Sequence, residues 1–150
     1  MYNQPSRRQY TRLISQVRVP GPSLPGYQIE CHDPSRQFFI NQLVIRCNPT
    51  EYKVLYFFLN HYREPLTCEE LIALFDPAAL EYPDLLERAR RKLTKVVSDL
   101  RVKLWESGLT IFTEYRVGYL LDKQPAYPRP IPRKDINRLK NPNVELDQPS

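Results

Sequence analysis

The sequence is poor in the residues that build metal centres, disulfides and phosphate loops. Its 150 residues include 3 cysteines, 2 histidines and 4 glycines. Cys31, Cys47 and Cys68 are widely spaced and form no CxxC pair, which argues against a zinc site or a disulfide framework. We therefore expect reduced thiols and no metal or other cofactor. The sequence also shows no glycine-rich phosphate loop and no catalytic triad, so an enzyme is the weakest functional class.

The sequence lacks any long apolar run. No apolar segment follows Met1, and no stretch approaches the roughly 18 apolar residues that a membrane-spanning helix needs. We therefore expect no signal peptide, no membrane partner and a cytoplasmic location.

Acidic residues are missing from the start of the chain, and basic residues cluster further on. The net charge is +5 and the sequence pI is about 9.2. The first 29 residues contain four arginines and no acid, whereas acids dominate between Glu51 and Glu87. Between Arg88 and Lys103, seven basic residues are opposed by Asp99 alone. Basic charge concentrated on one segment is typical of nucleic-acid-binding proteins.

Proline-rich segments divide the chain into three parts. Residues 1–26 are predicted to be a basic, proline-containing N-terminal arm or linker, and residues 122–150 a proline-rich, disordered tail. Residues 27–121 lie between them and form the one expected domain. Its first part, residues 27–46, contains three short β-rich runs separated by turn-forming residues, which predicts a small antiparallel sheet.

Three helices and a hairpin are predicted after this sheet. Asn48 with Glu51, and Asp84 with Glu87, have the spacing of capping boxes that begin helices. Gly108 is a natural helix stop, and two β-rich runs follow it. The predicted ranges are 49–61, 68–75 and 84–106 for the helices and 109–121 for the hairpin.

The third predicted helix is amphipathic. Its apolar residues recur at intervals of three and four, so they share one face and the basic residues point elsewhere. These apolar residues are Leu86, Ala89, Leu93, Val97, Leu100 and Leu104. A basic helix that leads directly into a hairpin is the outline of a winged helix. The same repeat would suit a coiled-coil seam, so a helix that binds a partner protein is an alternative.

Four segments resemble, in order, the signature blocks of the OmpR/PhoB-type winged-helix DNA-binding domain, the effector domain of transcriptional response regulators. They read NPTEYKVL, LTCEELIALF, VVSDLRVKL and IFTEYRVGYLL, and the resemblance covers about residues 27–121. It implies an α+β winged helix-turn-helix with a three-helix core, an N-terminal four-stranded antiparallel sheet and a C-terminal β-hairpin wing. It also implies a sequence-specific transcriptional regulator of double-stranded DNA. The third helix would lie in the major groove and the wing at the minor groove or backbone.

The resemblance places the DNA-binding positions on the third helix and the wing. The first basic residues of that helix would hold phosphates, and Lys95, Ser98 and Asp99 would face base edges. Arg116 takes the minor-groove or phosphate role, because Tyr115 stands where the family has its wing arginine. The candidate residues are Arg88, Arg91, Lys92, Thr94, Lys95, Ser98, Asp99, Arg101, Tyr115 and Arg116.

The sequence departs from the family pattern in three ways. Asp99 replaces an arginine, and the loop between the second and third helices is longer. The short stretch before the first predicted strand has no receiver domain, so we expect no control by phosphorylation. The longer loop weakens the case for contact with RNA polymerase. RNA polymerase, another regulator, and a homodimer on repeat DNA sites are therefore open as further partners.

A protein-interaction module on a winged-helix scaffold is the rival hypothesis, since a fold does not fix a function. The distribution of positive charge distinguishes the two hypotheses. A continuous patch formed by Arg88, Arg91, Lys95 and Arg116 would favour DNA. Interruption of that patch by acidic residues from 64–87 would favour the interaction module.

Overall fold

The computed structural model describes residues 18–125, which form two antiparallel sheets and three α-helices. Residues 1–17 and the tail from residue 126 onward lie outside the described part, and so do the predictions made for them. None of the helices within residues 18–125 combines the length and apolarity that crossing a membrane requires.

The N-terminal sheet has four strands in the order β1-β2-β3-β4. They are β1 (Val19–Pro20), β2 (Ile29–His32), β3 (Gln37–Ile40) and β4 (Leu43–Arg46). The last three confirm the three strands predicted from the residues, and β1 supplies the fourth that the resemblance implies. Cys31, Phe38 and Ile45 lie side by side across the sheet and are buried, so this face of the sheet belongs to the core.

Strand β1 lies in the segment that was predicted to be a linker. Val19 pairs with Cys31, and the Gly21 N–H donates to the Ile29 carbonyl at 2.9 Å. A Cβ on Gly21 would lie 2.7 Å from the Ile29 side chain, so this close approach requires glycine. Leu24 is buried in the core. The linker prediction is therefore wrong for the end of this segment, because an edge strand tolerates proline and can pair with its neighbour.

The three α-helices are α1 (Pro49–Asn60), α2 (Cys68–Ile72) and α3 (Pro83–Leu104), with a 3₁₀ segment (Pro77–Glu81) between the last two. The capping box predicted for α1 is confirmed. The Glu51 N–H donates to Asn48 Oδ1 at 2.8 Å, and the Asn48 N–H donates to Glu51 Oε1 at 2.8 Å. Thr67 caps α2 by accepting a hydrogen bond from the Glu70 N–H at 3.1 Å. α2 ends earlier than the predicted residue 75.

Helix α3 begins without the predicted capping box. Its first residue is Pro83, and the preceding Tyr82 makes no side-chain cap. Glu87 accepts a hydrogen bond from Arg91 at 2.7 Å instead of reaching back to the helix start. The prediction for Asp84 is wrong because proline at the first position begins the helix one residue earlier and places Asp84 inside it.

The apolar face of α3 packs into a core shared by the sheet, α1 and the hairpin. Its buried residues are Ala89, Leu93, Val96, Val97, Leu100 and Leu104. Leu86, which was also predicted for this face, is half-buried. After a 3₁₀ turn, Gly108 adopts a φ of 84°, the left-handed conformation that glycine takes readily. The chain reverses there and enters the hairpin.

The C-terminal sheet consists of β5 (Leu66–Thr67), β6 (Leu109–Glu114) and β7 (Gly118–Lys123), in the order β5-β7-β6. The hairpin of β6 and β7 confirms the prediction, although β7 continues past the predicted domain boundary at residue 121. Thr67 pairs with Gly118, and a Cβ on Gly118 would lie 1.9 Å from the Leu66 carbonyl oxygen. Glycine at this position is therefore what allows β5 to join the hairpin.

We predict that Gly118→Ala lowers the free energy of unfolding by about 3 kcal/mol, because the new Cβ overlaps backbone that has no room to move. Urea unfolding followed by circular dichroism measures this loss. Gly26→Ala is the matched control, since its Cβ would lie 4.0 Å from Lys123 Nζ, an ordinary contact, and the variant bears only the strain of a φ of 82°. We expect the control to lose about 1 kcal/mol. Equal losses in the two variants would contradict the close-approach argument.

Candidate nucleic-acid interface

The side of α3 opposite the core presents a row of side chains, of which three are exposed and one, Ser98, is half-buried. Arg91, Lys95, Ser98 and Val102 follow one another at intervals of four, three and four residues, so they share one face of the helix. We call this row the outward ridge. Two of its four members are basic, and Arg88 lies one turn before Arg91 on the same side. The outward ridge is the part of α3 that could enter a DNA groove.

The structure places all ten predicted DNA-binding residues on α3 or at the tip of the hairpin. Those on the first half of α3 are exposed, whereas Ser98, Asp99 and Arg101 are half-buried. Tyr115 and Arg116 lie in the turn between β6 and β7 and are exposed. The exposed members on α3 are Arg88, Arg91, Lys92, Thr94 and Lys95.

Acidic residues engage two arginines beside the ridge. Arg91 donates to Glu87 at 2.7 Å, and Arg90 donates to Glu69 of α2 at 3.2 Å. The hydrogen bond from Arg91 and its positive charge lower the pKa of Glu87. Both pairs are solvent-exposed, and pairs of this kind contribute little stability. The acids therefore interrupt the positive surface at two arginines.

The remaining cations of the first half of α3 form no ion pair with any of residues 18–125. These are Arg88, Lys92 and Lys95. The Lys92 ammonium lies 5.2 Å from the centre of the Phe75 ring, which is a cation–π contact. Thr94 Oγ1 donates to the Arg90 carbonyl at 3.0 Å, so its hydroxyl can offer a partner only its acceptor side.

Arg101 holds α3 to the hairpin. Its Nε donates to the Ile111 carbonyl at 2.6 Å, and its Nη2 donates to Thr113 Oγ1 at 2.8 Å. Burial lowers the pKa of Arg101. The structure thus gives Arg101 a role within the protein that differs from the predicted DNA contact. The sequence held a signal for this, because Val97 and Leu104, one turn away on either side, are both in the apolar repeat.

Lys103 also turns into the protein. Its Nζ donates to Glu51 Oε1 at 2.6 Å, and this is the same carboxylate that caps α1. Asp99 lies four residues before Lys103, the spacing of an ion pair on one helix face. In the structure Asp99 has no ion pair within residues 18–125, and Lys103 faces Glu51 instead.

The tip of the hairpin carries an exposed aromatic residue and a cation. Tyr115 is 81% exposed, and the Arg116 guanidinium carbon lies 5.1 Å from the centre of its ring. Arg116 adopts a φ of 64°, a left-handed conformation that is uncommon for a residue with a side chain. This strained backbone presents a guanidinium and a ring together at the end of the wing.

Residues 18–125 show neither a cluster of metal-binding side chains nor an activated thiol among Cys31 and Cys47. No group of three or more histidine, cysteine, aspartate or glutamate side chains within residues 18–125 could hold a metal ion. All three cysteines are free thiols. Burial raises the pKa of Cys31, and it raises that of Cys47 to about 12, so neither is an activated nucleophile.

The four-stranded sheet, the three helices, the exposed basic face of α3 and the hairpin fix the architecture of this protein. The chain has the winged-helix fold. No family model matches the sequence, and no curated protein matches it. Among solved structures, it is similar to the DNA-binding domain of the response regulator AdeR, solved in complex with an intercistronic region. The two are 28% identical, the match covers 64% of this chain and 94% of that chain, and the TM-score is 0.49.

We predict that Arg101→Ala lowers the free energy of unfolding by about 1–2 kcal/mol, because it removes two charge-assisted hydrogen bonds between α3 and β6. Arg88→Ala, which removes the same kind of side chain from an exposed position of α3, should change it by less than about 0.5 kcal/mol. Urea unfolding of both variants measures the difference. An Arg101→Ala variant as stable as the wild type would show that the contact does not hold the hairpin.

Proposed function

We propose that the protein is a sequence-specific, double-stranded DNA-binding transcriptional regulator. α3 lies in the major groove, and the hairpin lies at the minor groove or the backbone. The outward ridge supports this proposal most. α3 packs into the core by its apolar face and presents Arg91 and Lys95 to solvent, with more cations beside them. A long helix with a basic, polar outer face fits the width of the major groove.

The candidate residues take different roles in this proposal. Arg88, Arg91 and Lys92 contact phosphates, which position the helix but carry no sequence information. Lys95 and Ser98 contact base edges in the major groove, where lysine suits guanine. In this proposal Asp99 contacts a base edge and Thr94 offers an acceptor. Tyr115 and Arg116 lie at the minor groove or backbone. Arg101 supports the arrangement from inside.

A protein-interaction module is the second candidate, and specific observations favour it. Glu69 and Glu87 neutralise two arginines beside the ridge. The connection from α2 into α3 exposes Leu80, Tyr82 and Leu85, an apolar set that could contact another protein. RNA polymerase, another regulator and a second copy on repeat DNA sites are the partners to be tested for this surface. An apolar protein contact would respond weakly to salt, whereas phosphate contacts respond strongly.

We predict that log affinity for a duplex falls with log salt at a slope of about −5, as expected for five or six phosphate contacts. Arg91→Ala should weaken binding to all duplexes alike and make the slope shallower by about one. Glu87→Gln is the informative control. It removes the acid that engages Arg91, so it should raise affinity at low salt for every duplex.

Fluorescence anisotropy at several salt concentrations provides these measurements. The duplex should first be enriched from a random-sequence pool, so that specific and non-specific sites can be compared. A wild-type affinity that stays unchanged between low and physiological salt would overturn phosphate-driven binding. No enrichment of any sequence would favour the interaction module.

We predict that Asp99→Asn changes the preference at one base position and slightly raises non-specific affinity. A carboxylate can accept a hydrogen bond from the cytosine amino group, and a good base-edge contact discriminates by about 1–3 kcal/mol. Because Lys103 is engaged by Glu51, Asp99 does not serve to hold that ammonium group. Competition across single-base variants of the enriched site, run with both proteins, measures the change. A uniform gain with an unmoved preference profile would show that Asp99 reads no base.

A further inference from the structure

The last turn of α3 presents an apolar side chain on the outward ridge. Val102 is 62% exposed, although every other valine of α3 is buried. It continues the row of Arg91, Lys95 and Ser98 at the next helical interval. Valine is a poor choice for an exposed helix position on propensity alone, since its branched side chain loses freedom there. Its position makes it the apolar member of the row that a partner of the ridge would contact.

The two cations that flank Val102 in sequence are both used inside the protein. Arg101 donates to Ile111 and Thr113 of β6, and Lys103 donates to Glu51 of α1. Both cationic groups are therefore engaged by protein acceptors at this turn of the helix. The ridge thus changes from basic at Arg91 and Lys95 to uncharged at Ser98 and Val102.

We propose that Val102 determines sequence specificity by contacting the C5-methyl group of a thymine in the major groove. This inference rests on the proposed function and names one base that the helix reads. Thymine is the base that presents a methyl group in that groove, and apolar side chains recognise it by contact. A cation at this position would favour phosphates, which are the same in every sequence. Val102, an apolar residue between two inward-facing cations, contacts the methyl group instead.

The length of the ridge limits where this thymine lies. Arg91 and Val102 are eleven residues apart, which is about 16 Å along a helix and about five base pairs along a duplex. The thymine should therefore lie within about five base pairs of the phosphates held by Arg91.

Replacing single thymines of the enriched duplex by uracil tests this inference, because uracil lacks only the methyl group. For the wild type, we expect one thymine at which the replacement weakens binding about fourfold, the factor for one buried methyl group. Val102→Ala should bind the thymine and uracil duplexes equally, with an affinity near that of the wild type for uracil. Val44→Ala makes the same chemical change on β4, at a comparably exposed position of 44%, and should behave as the wild type.

The outcomes separate the inference from the proposed function. If wild-type protein binds no duplex at low salt, both are overturned. If wild-type protein binds but no thymine is sensitive, or if Val102→Ala keeps the wild-type sensitivity, the proposed function stands and the role of Val102 is wrong. An equal loss of affinity for all duplexes in Val102→Ala would likewise overturn the methyl contact. Both substitutions are at exposed positions, so each should change the free energy of unfolding by less than about 1 kcal/mol.

Discussion

The buried carboxylate of Glu51 fixes how α1 and α3 lie against each other. It is 2% exposed, and an ionised carboxylate at that depth is costly unless it is both hydrogen-bonded and paired. The Asn48 N–H and the Lys103 ammonium group meet these requirements. Because Glu51 lies in the first turn of α1 and Lys103 in the last turn of α3, one acid joins the start of one helix to the end of the other. The orientation of the outward ridge depends on this contact.

The basic residues of α3 therefore form two groups with different roles. Lys103 and Arg101 turn inward, to Glu51 and to the carbonyl and hydroxyl groups of β6. They hold the ridge and the hairpin in one arrangement, which a partner would meet already formed. Arg88, Arg91, Lys92 and Lys95 turn outward and can attract an anion. A count of cations in the sequence overstates the attractive charge, because it includes those that are neutralised within the fold.

Local patterns predicted most of the fold, and contacts between distant residues account for most of what they missed. The capping box at Asn48 and the apolar repeat of α3 are encoded within one or a few turns, so the sequence showed them. The pairing of Val19 with Cys31 is not visible in the local sequence, where the nearby prolines favour a linker. The same holds for Lys103 and Glu51, which lie 52 residues apart. A basic residue at the border of an apolar face can turn either way, and only the position of its partners decides.

Acidic residues beside the outward ridge bear on the balance between affinity and specificity. Glu87 engages Arg91, and Asp99 lies one turn from Lys95, so each reduces the attraction of α3 to any phosphate backbone. That reduction applies to every DNA sequence alike, whereas contacts to base edges distinguish one sequence from another. A regulator must find its site among many competing ones, so the ratio of specific to non-specific affinity matters more than either value. Interrupted positive charge, which favours an interaction module when taken alone, is therefore equally compatible with a selective DNA reader. Dependence of binding on base identity, rather than total affinity, is the property that separates the two functions.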